Sequence, residues 1–162
     1  MRDNFRLCLQ FILYGRDSYK GEGGFIHAAH DPGGYTNKGI TLATLSRYLN
    51  RPATVSELRT LSDTLAGNIY KTKYWDTIGG DDLPRGLDLL TFDISVNSGS
   101  GQARILLSRA GDGTPVERIH ALDKQRLGFW RHLRNWPYFA RGWTARENAC
   151  LAYALGMAGE TT

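Results

Sequence analysis

The sequence predicts an α+β protein that is predominantly α-helical, with one small irregular β hairpin after the first helix. Three observations indicate this fold class. Apolar residues recur at helical spacing through most of the 162 residues, as they do on the buried face of an amphipathic helix. Two capping boxes mark the starts of helices. Residues 23–41 instead contain five glycines together with Pro, Tyr, Thr and Asn, a composition typical of turns and short strands.

The first helix is predicted from an apolar stripe at the spacing i, i+3, i+4, i+7 and i+8. The stripe consists of Phe5, Cys8, Leu9, Ile12 and Leu13. Gly21 is expected to end this helix and to leave Glu22 at its terminus. In the glycine-rich segment, Phe25-Ile26 is expected to begin a strand. Pro32-Gly33-Gly34 predicts a turn, and residues 35–40 are expected to form the partner strand.

Helices are expected over most of the remaining chain. Capping boxes at Thr54 and Thr114 start two of them, and Pro115 stands at the first helical position of the second. The predicted helices cover residues 42–49, 55–61, 63–75, 87–96, 101–110 and 115–133, and a last one begins at 144 and is closed by Gly156 or Gly159.

One of these helices suggests how the chain is divided. Residues 87–96 are apolar on nearly every side, which predicts a central buried helix. Loop signals between residues 78 and 86 precede it. We therefore expect a single domain, residues 1–162, with one lobe at 1–78 that carries the hairpin and a helical lobe at 79–162.

The composition is that of an ordinary globular protein with a positive charge. The formal net charge is +4 and the pI about 9.2, which would draw the chain weakly toward polyanions. No run of five or more Lys and Arg residues occurs, so nucleic acid is not an expected partner. The apolar run Leu7–Tyr14 is broken by Gln10 and has no small-residue cleavage site behind it. We therefore expect synthesis in the cytoplasm without a signal peptide, and no stable membrane insertion.

Cysteine and histidine usage argues against disulfide or metal chemistry. Cys8 and Cys150 stand among apolar residues of predicted helices, so buried free thiols are expected, with a bridge as the alternative in an oxidising compartment. His27, His30 and Asp31 are close in sequence but lack a recognised zinc scaffold. The sequence therefore predicts neither a metal site nor another cofactor.

Two carboxylates have an arrangement that suits the cleavage of a glycosidic bond. Glu22 follows the first helix, and Asp31 comes nine residues later on the turn-rich segment. Cleavage of a sugar acetal needs an acid that protonates the leaving oxygen and a second carboxylate that activates water or stabilises positive charge. Burial against apolar or aromatic neighbours, Phe25 among the candidates, is expected to keep Glu22 protonated. The alternative for Asp31 is an ordinary turn residue that bonds its own backbone.

The residues around these carboxylates resemble glycoside hydrolase family 108, which comprises N-acetylmuramidases of bacteria and phages. The matching residues are Glu22-Gly23-Gly24-Phe25, Asp31-Pro32-Gly33-Gly34, Thr36 and Gly39-Ile40-Thr41. Lys73-Tyr74-Trp75 is similar to a later Tyr-Trp of the family. Residues 83–86 and 92–99 resemble the peptidoglycan-binding region that follows the catalytic part in this family. The spacing of the two carboxylates is also similar to that of T4-type lysozymes.

This resemblance implies a lysozyme-like fold and a peptidoglycan hydrolase, an endolysin or autolysin. Such an enzyme cleaves the β-1,4 bond between N-acetylmuramic acid and N-acetylglucosamine. The resemblance implies Glu22 as the acid and Asp31 as the base, assisted by Thr36. Its implied partner is the glycan strand of the cell wall, reached in the periplasm after release by a holin or a secretion route. We expect a monomer.

Further side chains are candidates for contacts with the substrate. They are Tyr35, Asn37, Thr41, Asp93 and Asn97. The alternative for the first three is an ordinary role in the hairpin. Asp93 and Asn97 lie one turn apart on an apolar predicted helix, where structural hydrogen bonding is the alternative because a buried carboxylate needs partners. The aromatic residues between positions 130 and 143 belong either to the core or to the substrate site.

Three other functions remain open. A lytic transglycosylase would use the same acid but would form an anhydro ring without water. A wall-binding module would retain the pattern without activity. A metal-dependent amidase or peptidase would cut the peptide part of the wall and would be sensitive to chelators.

Overall fold

The computed structural model describes residues 4–27 and 34–159. Within these ranges the chain forms eight α-helices and three short strands. In chain order they are α1 (Asn4–Tyr14), β1 (Phe25–His27), β2 (Tyr35–Asn37), β3 (Ile40–Thr41), α2 (Leu42–Leu49), α3 (Val55–Arg59), α4 (Asp63–Tyr70), α5 (Leu87–Ser98), α6 (Ser100–Arg109), α7 (Pro115–Arg131) and α8 (Trp136–Ala158). The predicted fold class, predominantly helical with a small β element after the first helix, is confirmed.

The β element is a three-stranded antiparallel sheet in the order β1-β2-β3. The first two strands form the predicted hairpin, with Ile26 opposite Thr36. A third strand follows because Lys38 and Gly39 make a two-residue turn between Asn37 and Ile40. Both turn residues have positive φ, 51° and 70°, as the tight hairpin turn that suits twisted strands requires.

The two faces of this sheet have different surroundings. Directly opposed residues share a face, so Phe25 and Asn37 lie on one side and Thr36 and Thr41 on the other. The buried Asn37 amide donates to the carbonyls of Leu58 and Arg59 at 2.8 and 3.1 Å. The first face therefore packs on α3, and the opposite face is left for other contacts.

Helix α5 is the centre of the protein. Its residues 87–95 are all buried, as predicted for a helix that is apolar on nearly every side. It packs against α1, α6, α7 and α8. Phe92 of α5 meets Phe5 and Trp75 with ring centroids 5.9 and 5.3 Å apart. The first helix and the last are thus joined through one central element.

Two of the later helices differ from their predicted bounds by several residues. The helix predicted at 63–75 is α-helical only to Tyr70 and continues as a π-helix, Lys71–Trp75. The last helix begins at Trp136 instead of Thr144. Its early start has a local reason, since Pro137 lies in the first turn, where the fixed φ of proline suits a helix.

Cys8 and Cys150 are free and buried, as expected. Burial raises the pKa of both thiols, which makes them poor nucleophiles. No helix in the described ranges is both long enough and apolar enough to cross a bilayer.

Candidate active site

The backbone fixes Glu22 beside α1. The helix ends at Tyr14, so the prediction that it continues to Gly21 is wrong; Gly15 adopts a φ of 68° and turns the chain back. The amide of Glu22 then donates to the carbonyl of Ile12 at 2.8 Å. Glu22 therefore lies alongside the last turn of the helix.

Arg146 of α8 is the partner of Glu22. Its Nη1 donates to Oε1 of Glu22 at 2.5 Å, across 124 positions of the sequence. The Glu22 side chain is 27% exposed, whereas that of Arg146 is only 8% exposed. The guanidinium also lies 4.9 Å from the centroid of the Tyr19 ring. The carboxylate can thus be reached from solvent while the arginine behind it is enclosed.

Arg146 is anchored on the buried carboxylate of Asp93. Its Nε donates to Oδ1 of Asp93 at 2.9 Å. The other oxygen of Asp93 accepts from Nη2 of Arg126 at 2.6 Å, and Nη1 of Arg126 lies 2.7 Å from Oε2 of Glu147. A row of acidic and basic side chains therefore runs from the surface into the core. We call Glu22, Arg146, Asp93, Arg126 and Glu147 the charge row.

The members of the charge row differ in protonation. Burial acts to raise the pKa of Asp93, but the guanidiniums of Arg146 and Arg126 outweigh it, so that the pKa is lowered. For Glu147, burial raises the pKa well above its usual value; Arg126 opposes the rise and Asp123 adds to it. Asp93 is therefore the ionised partner of two arginines, whereas burial favours the protonated form of Glu147.

The turn between β2 and β3 approaches Glu22 from another side. The Tyr70 hydroxyl donates to the carbonyl of Lys38 at 2.8 Å and so holds this turn. A Cβ atom at Gly39 would lie 2.6 Å from the Tyr70 oxygen and 3.1 Å from Oε2 of Glu22. With its positive φ, this position accepts only glycine without displacement of its neighbours.

We expect Gly39→Ala to lower activity by about 10²-fold, because a displacement near 1 Å of a catalytic group has that order of effect. Gly34→Ala is the matched control, since Gly34 has a similar φ of 62° but nothing within 4 Å of its Cβ position. Initial rates of wall solubilisation and thermal unfolding should be measured for both variants. Equal loss of activity in the two variants would show that backbone strain, and not contact with Glu22, is responsible.

The predicted substrate residues of the sheet are not equivalent. Tyr35 stacks on His27 with ring centroids 4.1 Å apart, whereas the Asn37 amide is bonded to the backbone of α3. We therefore assign Asn37 to packing. Thr36 and Thr41 lie on the opposite face, and the Thr41 hydroxyl also caps α2 by accepting from the amide of Thr44 at 3.1 Å. Substrate contact by Tyr35, Thr36 and Thr41 stays a prediction.

The pair predicted on α5 has structural partners. Asp93 is 0% exposed and bonded by two arginines, which makes it a structural anchor. Asn97 is half-buried, and its Oδ1 accepts from Nε1 of Trp130 at 3.2 Å. The structural alternative thus accounts for all the contacts of Asp93.

The candidate base Asp31 lies outside the described residues, and so does His30. The role of Asp31 as the base therefore stays a prediction. Among the described residues, no three or more His, Cys, Asp or Glu side chains form a group that could hold a metal ion.

The arginines of the charge row were not predicted from the sequence. The sequence nevertheless contains a pattern that indicates their burial, because both arginines lie on the apolar stripes of their helices. Arg126 follows Ile119 and Leu122 on the buried face of α7, and Arg146 precedes Ala149 and Cys150 on that of α8. A charged residue at a core position requires a buried partner of opposite charge.

Comparison with known proteins identifies the family and the fold. The family profile described as Glycosyl hydrolase 108 matches residues 17–99, about half of the chain, including Glu22. A solved structure titled "Structure of Brucella abortus SagA" superposes with a TM-score of 0.83 at 30% sequence identity, and the alignment covers 99% of each chain. No curated protein gives a significant match. The likenesses to a downstream peptidoglycan-binding region and to T4-type lysozymes stay predictions. The chain belongs to the glycosyl hydrolase 108 family, and this membership indicates a glycoside hydrolase.

Proposed function

We propose that the protein hydrolyses the β-1,4 bond between N-acetylmuramic acid and N-acetylglucosamine in peptidoglycan, with Glu22 as the proton donor. The observation that carries this proposal is the position of Glu22 in a member of a glycosidase family. Its carboxylate is partly exposed, held by Arg146 and approached closely by the backbone at Gly39.

Arg146 contributes to the reaction through its fixed position. When Glu22 gives its proton to the leaving oxygen, a carboxylate remains at the same place. The guanidinium is already 2.5 Å away and cannot withdraw easily, because Asp93 holds it from behind. The positive charge therefore stabilises the product of proton transfer without reorganisation, as preorganised catalytic groups do.

Asp31 is the proposed base. In an inverting glycosidase it would accept a proton from the water that attacks the sugar from the opposite face, and the two carboxyl groups would lie roughly 6.5–9.5 Å apart. Thr36 and Thr41 are proposed to position this water or the sugar. They share the sheet face that is not occupied by α3.

The proposed enzyme acts without a cofactor, as a monomer, on the glycan strands of the cell wall. The net charge of +4 favours contact with an anionic wall. Release of the protein by a holin or a secretion route belongs to the same proposal.

Product analysis tests the reaction class. Purified peptidoglycan digested by the wild type should give muropeptides with intact reducing ends, and Asp31→Asn should lower their yield by about 10²-fold or more. The products should be identified by mass spectrometry after reduction. Anhydro products, lighter by one water, would identify a lytic transglycosylase. Chelator-sensitive release of amino groups would identify an amidase or peptidase.

A further inference from the structure

The corner between α7 and α8 is rich in aromatic and basic side chains. We call residues 131–143 the aromatic–arginine corner. Its aromatic members are Trp136, Tyr138, Phe139 and Trp143, and its arginines are Arg131, Arg134 and Arg141. The charge row does not use any of them.

The inner part of this corner is firmly anchored. Trp130, just before it, is fully buried and donates to Asn97. Trp143 packs on Trp130 with ring centroids 5.1 Å apart, and Phe139 stacks on Trp143 at 5.5 Å. The positions of Trp143 and Phe139 are thus fixed by contacts that lead to the core.

The outer side chains are unusually exposed for large hydrophobic residues. Tyr138 is 85% exposed and Phe139, its neighbour, 50% exposed. Arg141 lies three residues after Tyr138 on α8, where side chains of a helix are neighbours. An aromatic tip and a cation are therefore presented together.

The corner carries positive charge without compensation. No Asp or Glu occurs between Lys124 and Arg146 in the sequence. Arg131, Arg134 and Arg141 are all exposed, and none forms an ion pair with any described residue. Three exposed arginines and two exposed rings within the same 13-residue corner are complementary to a surface that combines apolar groups with anionic groups.

We propose that the aromatic–arginine corner docks peripherally on an anionic lipid bilayer. Tyrosine and other aromatic rings favour the boundary between headgroups and acyl chains, and arginine binds phosphate through several donors. Basic residues near an anionic bilayer add to the affinity through an attraction that salt screens, so binding is reversible and sensitive to salt. Residues 131–143 contain no carboxylate and only one side-chain amide, Asn135, to bond sugar hydroxyls. The corner thus presents cations and apolar rings but few groups for sugar hydroxyls, and a soluble anionic polysaccharide is the competing ligand in the test.

Sedimentation with vesicles tests this docking. The full chain should bind vesicles of phosphatidylglycerol and phosphatidylcholine at low salt, and not vesicles of phosphatidylcholine alone. Tyr138→Ser combined with Phe139→Ser should weaken binding at least about tenfold. Transfer of the two rings from water into the bilayer boundary supplies more than the roughly 1.4 kcal/mol that a tenfold change in affinity requires. Tyr48→Ser combined with Ile105→Ser removes two hydrophobic residues of 40% and 47% exposure elsewhere and should leave binding unchanged.

A second set of variants distinguishes the effect of where the arginines lie from the effect of the net charge of the protein. Replacement of Arg131, Arg134 and Arg141 by glutamine should abolish binding at 0.1 M salt, whereas the same change at the exposed Arg85, Arg104 and Arg109 should keep most of it. Thermal unfolding checks that the variants are folded. Equal losses in the two sets, no binding to anionic vesicles, or retention only on soluble anionic polysaccharide would overturn the proposal. Vesicle binding does not require hydrolysis, so this test is independent of the proposed function.

Discussion

Glu22→Gln should lower the rate of peptidoglycan solubilisation by about 10²–10⁴-fold, the range that loss of a general acid causes. Glutamine keeps the shape of the side chain but has no acidic proton to transfer to the leaving oxygen. Arg146 retains Asp93 as a partner in the variant, so the fold should persist. Initial rates of turbidity loss on purified peptidoglycan measure the effect, and unfolding in denaturant checks the stability.

Asp17→Asn is a suitable control for this variant. Asp17 is an exposed carboxylate on the same segment, and asparagine tolerates its φ of 53°. The control should keep wild-type activity. If Glu22→Gln were as active as the control, Glu22 would not be the proton donor.

Asp93→Asn should reduce the free energy of unfolding by about 3–5 kcal/mol, the usual cost of removing one partner from a buried ion pair. The change leaves Arg126 and Arg146 enclosed without the carboxylate that neutralises them. The anchor of Arg146 is lost as well, so activity should fall together with stability. Denaturant unfolding at pH 7 measures the change.

The pH dependence of the free energy of unfolding tests the role of Asp93 independently. The pKa of Asp93 is lowered in the folded protein, so its stabilising effect is present above the unfolded pKa of about 3.9. The effect is lost as the pH falls from there through the folded pKa. The wild type should therefore lose its advantage over Asp93→Asn in acid.

Glu147→Gln is the matched control inside the same charge row. Because the pKa of Glu147 is raised well above its usual value, glutamine resembles the protonated form and should cost less than about 1.5 kcal/mol. Similar costs for the two variants would contradict the assignment of the ionised carboxylate to Asp93. A stable but inactive Asp93→Asn would assign Asp93 to the substrate.

Local patterns in the sequence predict most of the secondary structure. The two capping boxes form as predicted, at Thr54 and Thr114, because each depends on residues only three positions apart. The buried α5 follows from its own composition. The hairpin follows from its glycines and polar residues. The π-helix Lys71–Trp75 and the early start of α8, where Pro137 lies in the first turn, were not predicted.

The candidate site is predicted less completely because its contacts are distant in sequence. Glu22 was identified from its neighbours, but Arg146 lies 124 positions away, and no local spacing connects the two. The role of Asp93 likewise depends on Arg126 and Arg146, which reach it from α7 and α8. A local sequence pattern can identify a candidate catalytic side chain. Its surroundings depend on which helices pack around it, and the local pattern does not give these.

Digestion of peptidoglycan in ¹⁸O-labelled water tests the central claim most directly. If the protein is a glycoside hydrolase with Glu22 as acid, each new N-acetylmuramic acid reducing end should carry one ¹⁸O atom in the wild type. Rapid reduction of the products prevents later exchange. Glu22→Gln should yield almost none of these ends. Labelled ends formed equally by the variant, or unlabelled anhydro ends from the wild type, would contradict the account.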